Sequence, residues 1–249
     1  MCKGLSSPAN TSMPTALRSR TRSWRGSGWR AVEAQYKNAT ISLAHGNVGD
    51  QRLLEDILEE SKPYLPDDLA GLHFLLATPF RYRPPPPVGS RFRRREDPGT
   101  FYGAEDVKTA CAEAGYWRFR FWIDSDALRT LPGSFPMTLF EFHGATDAMI
   151  DLTKPPFASD RKKWIHPSDY SATQQLALAA RAEGIEVIRS ESVRNSPDGR
   201  CLTILAASVF KRVTEPYRHQ QQSWNLFIQP PHLAVWQRSL DGDTFEFRY

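Results

Sequence analysis

The chain has 249 residues, a net charge of +4 and ordinary apolar and charged fractions, which fit a globular protein with a real core. No apolar run reaches the roughly 20 residues of a membrane span, and no secretory apolar core follows the start, so membrane and secreted classes are not expected. Cys2, Cys111 and Cys201 lie far apart with no CxxC spacing, which argues against a disulfide framework or Cys-rich zinc site and for a reducing, cytoplasmic setting.

The charge is uneven. No acidic residue precedes Glu33, while Lys3, Arg18, Arg20, Arg22, Arg25 and Arg30 sit among Ser, Thr, Gly and Pro. Such composition orders itself poorly, so residues 1–31 are expected to form a flexible basic arm whose removal leaves any pocket intact. Three readings of the arm stay open: an incidental tail, a nucleic-acid contact, or an organellar transit segment. Trp24 and Trp29 either stack on a partner or anchor the arm.

Residues 32–74 predict a helical lead-in packed on the rest. Leu53, Leu54, Ile57 and Leu58 have helical spacing after Asp50, and Leu69, Leu72, Leu75 and Leu76 continue the pattern. Strand signals follow in "TFYGA" and "MTLFEFHG", then a helix over "SDYSATQQLALAARAEG". It is capped by Ser168 or Asp169 and ended by Gly184. The segments "IEVIRS", "CLTILAASVF", "SWNLFIQ", "LAVWQRS" and "TFEFRY" are strand-like. With no repeat and no βαβ alternation, the expected class is α+β with a mainly antiparallel sheet and flanking helices.

Common catalytic motifs are missing: there is no phosphate loop, GxGxxG, HExxH or GxSxG. The six histidines do not form a metal-ligand pattern, so no metal is expected. What stands out is "RYRPPPPVGSRFRRREDPGTFYGAEDVKTACAE", residues 81–113. Val107, Ala110, Cys111 and Ala114 form the buried stripe of a helix, with Glu113 on its margin. Tyr102 and Phe101 take opposite faces of a strand. Arg91 suits bidentate phosphate binding. The plain alternative is an exposed Glu, a core Tyr and a solvated Arg run.

These blocks, with the later "GIEVIRSESVR", resemble the successive motifs of the RES domain family over about residues 75–215. The resemblance implies an ADP-ribosyltransferase-like fold for residues 75–249 and an NAD-binding, NAD-consuming activity. Its members are toxins held inactive by Xre-like helix-turn-helix antitoxins, so NAD and such an antitoxin are the implied partners. The matches imply catalytic roles for Arg91, Tyr102, Glu113 and Ser192, the last chosen over Ser190 because it precedes x-Arg. Arg81 and Tyr82 match a first Arg and a substrate-lining Tyr. The "PPPP" and "RFRRRE" segments depart from commoner members.

Those residue types suit cleavage of the nicotinamide–ribose bond through an oxocarbenium-like transition state. Arg91 would bind phosphate, Tyr102 stack or hydrogen-bond, Ser192 hold a ribose hydroxyl or pyrophosphate oxygen, and Glu113 stabilise the cation. The acceptor is open: water makes a glycohydrolase, phosphate as co-substrate a phosphorylase, a protein side chain an ADP-ribosyltransferase. No cofactor is implied beyond NAD as substrate. Arg93, Arg94 and Arg95 are expected to be solvated and replaceable by Lys. A different class is a non-catalytic nucleic-acid-binding module, using the Arg run with Phe92, Phe101, Trp117 and Phe119. Against it, Phe92, Trp117, Phe119 and Phe121 alternate as core strand residues would, so direct nucleic-acid binding is not expected.

Overall fold

The computed structural model describes residues 17–34, 39–82, 89–239 and 242–249. Strand β1 (Arg22–Glu33) lies antiparallel to the long β3 (Gly133–Asp151), with Arg22 opposite Met149 and Glu33 opposite Met137. This corrects the flexible-arm expectation for residues 17–31, where Leu17 is also buried in a core cluster; its part over 1–16 lies outside the described residues. The glycines that looked like disorder have a steric reason. A Cβ on Gly28 would sit 2.5 Å from the Phe142 ring, so the strand gives up a side chain to let that ring in. Trp24 and Val32 pack on one face of β1, and Trp29 and Ala31 on the other.

The helical lead-in splits in two. Helix α1 (Ala39–Leu43) precedes α2 (Val48–Glu60), which is capped by Asn47 rather than Asp50 and has no buried residue. Leu53, Ile57 and Leu58 are exposed, so α2 does not form the expected packing layer: an apolar stripe shows only that a helix has one face to cover. Gly71, with φ of +80°, interrupts the next predicted helix; Leu69 before it is buried against Ala77 and Ala207, and α3 (Phe74–Arg81) packs through Leu75, Leu76 and Ala77.

Strand β2 (Phe101–Ala104) leads into α4 (Val107–Ile123), capped by Asp106. The helix runs on through Trp117, Phe119 and Phe121, correcting their strand-like alternation. Phe119 is buried while Trp117 and Phe121 are exposed, as residues two apart on a helix point apart. After β3 come α5 (Arg161–Trp164) and α6 (Ser171–Ala182). Strands β4 (Val187–Glu191) and β5 (Arg200–Ile204), helix α7 (Ser208–Lys211) and strands β6 (Tyr217–Gln229), β7 (Leu233–Arg238) and β8 (Thr244–Arg248) complete the chain.

The class is α+β with a mainly antiparallel sheet in the order β1-β2-β5-β4-β3-β6-β7-β8; only β3–β4 is parallel. Because β1 also pairs with β3, strands β1, β2, β5, β4 and β3 close into a ring. One seam is weak: the backbone pairing of β1 with β2 is confined to Trp29 and Ala104. Phe101, Phe140, Phe142, Leu202 and Ile204 form one core cluster. α4 packs through Ala110, Cys111 and Phe119 against β6 and β7 in a second. α6 covers Ile150 and Ile188 in a third. Among the described residues no helix is long and apolar enough to cross a membrane.

Candidate active site

A cavity of about 510 Å³ opens beside the β1–β2 seam, within the usual size of small-molecule sites. Tyr102, Ala104, Ser190, Cys201 and Thr203 form its floor, from one face of β2, β4 and β5. The α4 helix supplies Glu113 and Trp117, β1 supplies Trp29 and Arg30, and Arg91, Tyr170 and Arg194 close the rim.

Glu113 lies in the α4 turn facing β5. Ser192 Oγ donates to Glu113 Oε1 at 2.6 Å and accepts from the backbone N–H groups of Arg194 (3.2 Å) and Asn195 (3.0 Å). With both lone pairs engaged, the Ser192 hydroxyl has only its proton to give, so it fixes Glu113 as an acceptor. The Cys201 thiol, 3.7 Å away, bonds the same oxygen. Burial, then the neighbouring Glu113 charge, pushes that thiol well up, keeping it protonated as a donor. Oε1 is thus occupied, leaving Oε2 for a ligand.

Arg91 sits at the tip of a tight turn. Ser90 N–H donates to Arg93 O at 2.7 Å, and Arg93 N–H returns a bond to Ser90 O. Gly89 has φ of +69°, and a Cβ there would lie 2.3 Å from Arg93 O, so only glycine admits the turn. From α6, Thr173 Oγ1 donates to Arg91 O at 2.5 Å and Gln174 to Ser90 O at 2.9 Å. The guanidinium donates to Trp164 O and His166 O and lies 4.7 Å from the Tyr170 ring centroid. Tyr102 Oη is 2.7 Å from Ser90 Oγ and accepts from Phe92 N–H at 3.1 Å.

Arg30 is the residue that sequence reasoning missed, having assigned it to the arm. Its Nη1 donates to Tyr102 O at 2.6 Å, and its guanidinium lies 4.8 Å from the Phe101 ring centroid. Its buried Nε has no partner. Burial lowers its pKa to about 10. Among the described residues neither Arg30 nor Arg91 forms an ion pair with a carboxylate. Two desolvated cations facing one cavity are costly unless an anion joins them.

The remaining expected residues separate. Ser192 is fully buried behind Glu113 while Ser190 lines the cavity. Arg81 and Tyr82 do not line it: Arg81 ends α3 and binds Glu59 Oε1 at 2.9 Å and Pro63 O, and the Tyr82 backbone carbonyl accepts from Arg93. The first cavity arginine is Arg30, from β1. Arg83 and the four prolines lie outside the described residues.

The RES domain family profile matches residues 65–228, about two thirds of the chain. The chain belongs to the RES domain family. No curated protein matches it in sequence. Among solved structures, it is similar to a chain of the M. tuberculosis MbcT–MbcA toxin–antitoxin complex, at 13% identity and a TM-score of 0.46, over 89% of this chain and 94% of that one.

Within this RES domain the Arg run is not a solvated face. Arg93 is buried and donates to Asp97 O and Tyr82 O, while Arg94 makes a forked contact with Asp97. Only Arg95 is exposed as expected. The turn that lifts Arg91 into the cavity uses its neighbours as struts. Arg93→Lys should therefore cost about 1–3 kcal/mol of stability, while Arg95→Lys changes neither stability nor activity; thermal unfolding of the two variants checks this.

Proposed function

We propose that this RES-domain protein consumes NAD by cleaving the bond between nicotinamide and ribose, as the toxin of a toxin–antitoxin pair. The observation that carries the reading is the Glu113 carboxylate, held through Oε1, in a cavity with two partly buried guanidiniums, Arg30 and Arg91, that form no ion pair among the described residues; the other lining carboxylate, Glu191, is paired with Arg161. Such a site suits a substrate that is anionic at its phosphates and becomes cationic at the reacting carbon. Toxicity and an Xre-like helix-turn-helix antitoxin follow from what is typical of the family.

In this reading Arg30 and Arg91 bind pyrophosphate oxygens from opposite walls. The C1′–N bond breaks with its electron pair leaving on nicotinamide, which departs neutral. Glu113 Oε2 stabilises the positive charge left on the ribose. Ser192 orients Glu113. The acceptor then bonds to C1′ and gives up its proton; water yields a glycohydrolase and inorganic phosphate a phosphorylase. Transfer to a protein side chain is the second enzymatic reading. The nucleic-acid-binding alternative depends on a displayed basic run, and the internal contacts of Arg93 and Arg94 remove its main support.

Purified protein should release nicotinamide from NAD in the presence of a chelator. Mass analysis with and without phosphate distinguishes ADP-ribose from its phosphorylated counterpart. Intact NAD after long incubation with folded protein would exclude the reading. Arg91→Lys should lower kcat/KM by about 10-fold or more, because an ammonium keeps the charge and loses the planar fork. Steady-state kinetics decide this; equal rates would free Arg91 from the substrate.

A further inference from the structure

We propose that Thr203 recognises the carboxamide of the nicotinamide ring, an inference that rests on the NAD-cleaving reading above. Thr203 is 1% exposed, lines the cavity, and its buried Oγ1 has no hydrogen-bond partner among the described residues. A buried hydroxyl left unpaired is rare in a folded protein, and in a residue of a cavity wall the missing partner is a group that the cavity takes up.

Its place on the floor selects the group. Cys201, two residues earlier on the same face of β5, touches Glu113 Oε1. Residues two apart on a strand are about 6.6 Å apart. The reacting C1′ must sit at Glu113, and the carboxamide lies across one pyridine ring from it. A ring laid along β5 therefore brings that amide towards Thr203. Tyr102 is directly opposite Thr203 in the β2–β5 register, and Ser90 and Phe92 pin its hydroxyl, so it forms a fixed part of the floor beside the ring. The chemistry also matches. A carboxamide offers one acceptor and one donor group, and a hydroxyl can answer either. Phosphate oxygens only accept, and the two guanidiniums already serve them.

The test compares wild type, Thr203→Val and Thr203→Ser on NAD and on the dinucleotide carrying unsubstituted pyridine in place of nicotinamide. Valine keeps the shape and deletes the hydroxyl. Thr203→Val should lower kcat/KM for NAD by about 10- to 100-fold, with an unchanged thermal midpoint. Thr203→Ser should restore most of the loss. All three should cleave the pyridine dinucleotide at matching rates. Unchanged NAD kinetics in Thr203→Val would overturn the proposal. So would an equal loss on both substrates, which would assign the hydroxyl to ribose or phosphate. If wild type itself leaves NAD intact, the functional reading fails and takes this subsite with it. If wild type is active and Thr203→Val misses either comparison, only the subsite fails.

Discussion

Glu113→Ala should lower NAD turnover by about 1,000-fold, the upper end of what removing one preorganised charge-stabilising group costs. The Kd for NAD should stay within about 3-fold, since the proposed role is confined to the transition state. The structure sharpens that expectation. Ser192 and Cys201 both spend their protons on Oε1, so the carboxylate is oriented before substrate arrives, and little reorganisation is left to the reaction. Ser192→Ala should show a smaller loss in kcat, because Cys201 still holds the same oxygen and the charge remains. Single-turnover rates alongside equilibrium binding separate the two effects. A Glu113→Ala enzyme with wild-type turnover would remove Glu113 from the mechanism.

Deleting residues 1–31 should abolish folding, the reverse of what a flexible arm would allow. The deletion strips nearly all of β1 from β3 and takes Trp24 from one core cluster and Trp29 and Ala31 from another. A fully buried large side chain is worth about 1.5–3 kcal/mol; the partly buried Trp24 and Trp29 contribute less each, but with the buried Leu17 and the lost ladder they rival a total stability of about 5–15 kcal/mol. The ring of strands would open, and Arg30 would leave the cavity. Near-ultraviolet circular dichroism and thermal unfolding of the truncated chain check this. A cooperative transition with NAD turnover intact would show that β1 is dispensable to the domain.

Much of the candidate site's layout was legible because its parts are local. Tyr102 and Glu113 stand in one strand–turn–helix unit, where strand alternation and the stripe of Ala110, Cys111 and Ala114 set their directions. The turn at Gly89 likewise announces Arg91. Arg81 and Tyr82 failed for the same reason in reverse: they are near Arg91 in sequence, yet α3 directs them to Glu59 and Arg93. Trp117, Phe119 and Phe121 also misled, because alternating aromatics fit a strand period, whereas on the helix they point apart and only Phe119 of the three is buried.

The sequence by itself determined the α+β class, the helix that carries Glu113, the RES-type order of motifs and the strands of the second half, except that the expected strand "CLTILAASVF" ends at Ile204 and its residues 208–210 are helical. These depend on periodicity and turn chemistry, which act over a few residues. Only the tertiary structure decided the fate of the basic segments. Gly28 makes room for Phe142, 114 positions away, and that long-range packing turns an apparently disordered stretch into β1. The same packing brings Arg30 to the cavity that Arg91 also lines, and the β2–β5 register sets Thr203 beside Tyr102 in its floor. Such neighbours are chosen by the closure of the sheet, and no local pattern in the chain records them.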